Sequence, residues 1–210
     1  MIEINLPGQP DLSLIDKIPW MDLHHAYGTA IDVPDQLRSV LDPDPEKRRS
    51  VFYSFTCNLF HQGSVYPATI PAIEVLQQLL RYQDVPDKAK ILETLLAFAI
   101  GFPDDIEGNV EVSDFVTARL DDEQEETRGE DAEASECYLA VGAGVPLYEA
   151  LLQDSDPRTV IAASYVLAFF PAHACRSFHA LLETAQNESQ HDFVRSSALM
   201  ACSNLGDVAD

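Results

Sequence analysis

The stretch VPLYEALLQDSDPRTVIAASY, residues 145–165, decides the fold class. Val145-Pro146 opens an apolar run carrying Leu147, Leu151 and Leu152, and Asp156-Pro157 closes it and opens a second run. An N-cap aspartate accepts hydrogen bonds from the free amides of a first helical turn. Proline at the first helical position gives up only an N–H that has no partner there. Asp-Pro therefore ends one helix and starts the next, and the stretch reads as helix, tight turn, helix.

The same signals recur at an offset of 112: Val33-Pro34, Asp44-Pro45, and Tyr53 where the later copy has Tyr165. Leu37 and Leu41 do not superpose on the later leucines, so they support helix character and not the repeat. Ile70-Pro71 opens a helix with Ile73, Leu76, Leu79 and Leu80 on one face. After Val85-Pro86, the run Ile91, Leu92, Leu95, Leu96, Ala99 keeps the three-and-four spacing of an amphipathic helix. Further stripes are Phe178, Leu181, Leu182, Ala185 and then Phe193, Val194, Ser197, Ala198, Ala201. These patterns predict at least four helix pairs, at about 33–60, 68–101, 137–170 and 173–205. No segment alternates in strand fashion between hairpin turns, so no sheet is expected.

Composition narrows the function classes. Hydrophobic residues make up 46% of the 210, an ordinary share for a folded domain. No basic segment leads into an apolar run at Met1–Pro7, and the longest apolar run, 160–171, is too short to span a bilayer. Cys57, Cys137, Cys175 and Cys202 have no metal-ligand spacing and read as structural thiols of a reducing compartment. The expectation is a soluble, cytoplasmic protein without cofactor, metal or membrane contact.

The formal charge of −22, from 35 acids against 13 Lys and Arg, disfavours direct nucleic-acid binding and favours a basic protein partner. Between Gly101 and Glu136, 14 acids face Arg119 and Arg128, so 14 − 2 leaves a net −12 there. The block Asp121, Asp122, Glu123, Glu125, Glu126 is the densest part. This region reads as a long solvated loop with a short helix at 111–120.

Trp20, Leu23-His24-His25-Ala26-Tyr27-Gly28, Ala30, Val33-Pro34 and His61-Gln62-Gly63, Tyr66, Ala68-Thr69 stand in a pattern similar to bacterial HEAT-repeat proteins. The resemblance covers residues 18–100, and beyond them only the repeat pattern is shared. It implies an all-α fold, an α-solenoid of about four to five helix pairs with the acidic loop inserted, and a binding role without an established active site. The whole chain, 1–210, is then one domain: a cap at 1–32, first repeats at 33–101, the acidic insertion at 102–136, and C-terminal repeats at 137–205. A solenoid buries each pair against its neighbours and leaves one long surface for partners.

The candidate chemistry is sparse. His24, His25 and His61 are the only histidines of the N-terminal half and with Asp22 could form a metal or general-base cluster, but no His pair in the chain has zinc-binding spacing. His61 is expected to close the helix that ends near Phe60, with Gly63 as its left-handed cap. Trp20, Tyr27 and Tyr66 either cap the first repeat or grip a partner. Asp105, Glu107, Asn109 and Glu111 alternate as in a calcium loop, but Val110 and Val116 occupy the positions where such a loop needs glycine and an acid. Lys47-Arg48-Arg49 reads as a solvated face paired with Asp44 and Glu46. No phosphate, dinucleotide or nucleophile-elbow motif is present.

Two functions from different classes follow. The first is a non-catalytic protein-binding module or scaffold, in concrete form an acidic immunity-type inhibitor of a basic partner. Its candidate contacts are Trp20, His24, Tyr27, His61, Gln62, Tyr66 and the 121–126 acids. The alternative is a lyase- or hydrolase-like enzyme using the N-terminal histidines.

Overall fold

The computed structural model describes residue 4 and residues 6–101 and 130–206. Ten α-helices run in order among them. They are α1 (Ser13–Lys17), α2 (Val33–Ser39), α3 (Pro45–Leu59), α4 (Thr69–Leu79) and α5 (Lys88–Ile100). After the interval come α6 (Glu130–Gly142), α7 (Val145–Leu151), α8 (Pro157–Leu167), α9 (Ala174–Gln186) and α10 (Asp192–Asn204). The all-α class expected from the sequence is the class observed.

The Asp-Pro starts behave as their chemistry requires. Asp44 and Asp156 are both extended, and their carboxylates accept from the amides of Glu46 at 2.9 Å and Arg158 at 3.0 Å. Each satisfies one of the four free N–H groups of a first turn, and such a cap contributes about 1 kcal/mol.

Within each pair, α2 touches α3, α4 touches α5, α7 touches α8 and α9 touches α10. The second helices also touch in order, α3 with α5, α5 with α8, α8 with α10. Their inward stripes supply Phe52, Phe55, Leu59, Leu95, Phe98 and Val160, all buried, and the Phe55 and Phe98 rings meet at 6.0 Å. Each such side chain, fully removed from water, contributes about 1.5–3 kcal/mol, which is why the stripe and not the propensity holds the helices. Three ion pairs among the described residues join successive units, one of them Arg176 of α9 with Glu149 of α7. Arg48 of α3 donates to Asp87, in the turn before α5, at 2.6 Å. Lys88 of α5 donates to Asp154, in the turn before α8, at 2.8 Å, with side chains only 5% and 8% exposed.

Four expectations need correction. First, two short antiparallel hairpins do exist, β1–β2 (His24-His25 with Gly28-Thr29) and β3–β4 (Phe60-His61 with Ser64-Val65). Strands of two residues leave no alternation to read. His61 is therefore in a strand and not at a helix end, and Gln62 (φ 51°) and Gly63 (φ 88°) form the hairpin turn. Both central residues at positive φ are what a type I′ turn demands. Second, the third pair starts at Val145. The apolar residues from 137 belong to α6, a separate helix packed on α4 and α5.

Third, residues 130–136 of the expected loop are helical, while 102–129, with the 111–120 helix and the calcium-like pattern, lie outside the described residues. Fourth, Arg48 is not on a solvated face: its side chain is 11% exposed, whereas Lys47 and Arg49 do pair locally, with Asp42 and Glu46. Cys137 and Cys202 are buried, but Cys175 is exposed. Among the described residues, no single helix is long and apolar enough to cross a membrane.

Candidate binding surfaces

The hairpins bring the N-terminal histidines and aromatics together. The Ala26 amide donates to the Asn58 carbonyl at 3.0 Å, and the Ala68 amide to the His24 carbonyl at 3.2 Å, so β1–β2 is sewn to the last turn of α3 and the entry to α4. His25 is buried. Its Nδ1 accepts from the Tyr27 amide at 3.1 Å, which puts the ring proton on Nε2, 2.8 Å from Asp32 Oδ1. The other Asp32 oxygen accepts from Gln36 at 3.1 Å and Asn58 at 3.0 Å. Asp32 thus gathers hairpin, α2 and α3 at one carboxylate, and both nitrogens of His25 are spent on the protein itself.

The remaining candidates separate by exposure. The Tyr27 ring is 65% exposed and leans on His61, with centroids 5.3 Å apart and its hydroxyl 3.3 Å from His61 Nδ1. His24 and Gln62 are exposed, Tyr66 is half-buried, and Met21 and Ile31 add exposed apolar side chains nearby in sequence. Trp20 is in the core: its indole N–H donates to the Ile15 carbonyl at 2.8 Å. Asp121, Asp122, Glu123, Glu125 and Glu126 lie outside the described residues. Among the described residues no group of three or more His, Cys, Asp or Glu side chains is arranged to hold a metal ion.

Two grooves were not anticipated from the sequence. One crosses α5 and α8, with hollows of about 420 and 190 Å³ that share Lys90, Glu93 and Tyr165. Its walls carry Ile161 and Leu96, and Asp156 and Arg158 stand at one end. The Arg158 guanidinium hydrogen-bonded to Asp156 holds that carboxyl below the usual range. Tyr53, the counterpart of Tyr165 at the offset of 112, is exposed on α3.

The other groove, about 400 Å³, runs along α4 and meets Leu6 and Leu147. Glu74, Gln77, Gln78 and Arg81 line it, at spacings of three, four and seven residues. Polar side chains at those spacings share one helix face, and on an otherwise apolar helix that was the available signal. Comparisons of the chain with family models, with curated proteins and with solved structures return no match.

Proposed function

We propose that the chain is a non-catalytic protein-binding module, its helix pairs stacked as a short HEAT-like α-solenoid, and that it engages a basic protein. The carrying observation is the α5–α8 groove, lying where second helices of successive pairs meet and holding apolar walls beside Lys90 and Glu93, with Asp156 and Arg158 at one end. A groove of this kind accepts an apolar anchor side chain of a partner, with its charged neighbours at the rim. The ordered contacts α3–α5–α8–α10 and the pairs Arg48–Asp87 and Lys88–Asp154 support the solenoid reading. The charge of −22 supports a basic partner, through faster encounter and salt-sensitive affinity.

An immunity-type inhibitor acting in the cytoplasm is the concrete form of this reading. The test is affinity capture with the tagged full chain from extract of its native host, at low and at moderate salt. A basic protein retained at low salt, released as salt rises, and lost with Tyr165→Ala is the expected result. If the captured protein is a toxin or nuclease, the inhibitor form requires its activity to fall when the chain is added. Capture of no basic protein at either salt, by wild type that remains helical, rejects the proposal.

A further inference from the structure

We infer that the groove along α4 is a second contact site, selective for an extended protein segment whose basic and acidic side chains lie about three residues apart. The inference rests on the binding-module reading and adds a partner chemistry to it. Of the basic side chains among the described residues, nearly all have a carboxylate within ion-pair distance: Arg38, Lys47, Arg48, Arg49, Lys88, Lys90, Arg158, Arg176 and Arg195. Lys17 and Arg81 have none among the described residues, and Arg81 shares its groove with Glu74, which has no cation among them. Arg81 and Glu74 are both exposed.

Glu74 lies within α4 and Arg81 in the turn just past its end at Leu79, so seven positions separate them, on the order of 10 Å. At that distance the two charges neither pair with nor cancel each other, so the groove has a negative end and a positive end. An extended peptide advances about 3.3 Å per residue, so side chains three positions apart span the same length. Between the charges stand Gln77 and Gln78. Their amide nitrogens are committed, Gln77 to the Ala140 carbonyl at 2.9 Å and the Tyr148 hydroxyl at 3.0 Å, and Gln78 to the Asp11 carbonyl at 3.0 Å. That leaves their carbonyl oxygens as acceptors for the N–H groups of a bound backbone. Leu6 and Leu147 supply apolar surface for the stem of a lysine or arginine.

The probe is acetyl-Lys-Ala-Ala-Glu-amide, titrated into the isotope-labelled full chain and followed by NMR. Saturable shifts confined to residues 74–82 and 143–147 are expected. Acetyl-Ala-Lys-Glu-Ala-amide, of the same composition with adjacent charges, binds more weakly. So do Glu74→Gln and Arg81→Gln, each by about two- to fivefold, the value of one exposed ion pair. Both replacements are at exposed positions, and an unchanged circular-dichroism spectrum verifies their fold. No saturable shift at millimolar peptide, equal binding of the two peptides, or binding unaffected by both replacements overturns the inference. Because the probe needs no native partner, failure here leaves the capture result standing, and failure of capture leaves the peptide result standing.

Discussion

Between α3 and α4 the chain makes a β-hairpin before its next helix, whereas between α6 and α7 it turns on Ala143 and Gly144 alone. Both routes deliver an apolar-proline helix start, Ile70-Pro71 in one and Val145-Pro146 in the other. That hairpin carries side chains outward: Gln62 is exposed, and His61 is half-buried and leans on Tyr27 of the earlier β1–β2 hairpin. The tight turn brings helices so close that no side chain fits: a Cβ at Gly144 would lie 2.4 Å from the Tyr148 hydroxyl and 2.7 Å from the Gln77 amide. One connection builds surface, and the other builds core.

The seam between α5 and the turn before α8 is the most sensitive point. Lys88→Met leaves Asp154 buried without its cation and is expected to cost about 3–5 kcal/mol in a denaturant titration. Asp154→Leu added to it recovers much of that loss, which a double-mutant cycle measures. Next comes Gly144→Ala, expected to cost about 1–3 kcal/mol by overpacking. Recovery with Tyr148→Phe would trace the cost to the hydroxyl, and a cost below the error of the melt would show that the turn tolerates a Cβ. At the neighbouring β1–β2 hairpin, Asp32→Ala removes one carboxylate from three donors and is expected to cost about 1–2 kcal/mol. Amide exchange should accelerate at residues 24–29 and not at 143–148. Equal acceleration in both regions would break the contrast.

The smallest effect, absent at neutral pH, is alkaline. Burial pushes the Tyr138 phenol up to about 12 from its ordinary 10, and burial raises Tyr148 further still against the opposing hydrogen bond from Gln77. Above pH 10 the unfolded chain releases protons that the folded chain keeps, so stability is full below pH 10 and falls as pH rises towards 12. Tyr138→Phe should flatten that fall in melts between pH 9 and 12. A profile unchanged by Tyr138→Phe would place the alkaline loss elsewhere.

The helix starts were legible because their causes are local. Asp44 and Asp156 act on amides two residues away, and the leucine stripes declare their face within a turn or two. The Arg48–Asp87 and Lys88–Asp154 pairs join residues 39 and 66 apart, and nothing in either local sequence points to the other. The β3–β4 hairpin was missed because Gln62 takes a positive φ that Asn or Gly ordinarily signals. Tyr27 and His61 belonged to the candidate set from the start, although their direct contact is a product of the hairpins. Trp20 was legible as a cap or a contact, and only its bond to the Ile15 carbonyl places it in the core.

Asp87 and Lys88 are chain neighbours that look in opposite directions, the acid back to α3 and the cation on to the turn before α8. Each unit so equipped offers a plug to one side and a socket to the other. The entry to α5 therefore anchors in both directions at once, and a shift of that helix start loosens the contact behind it and the contact ahead of it together.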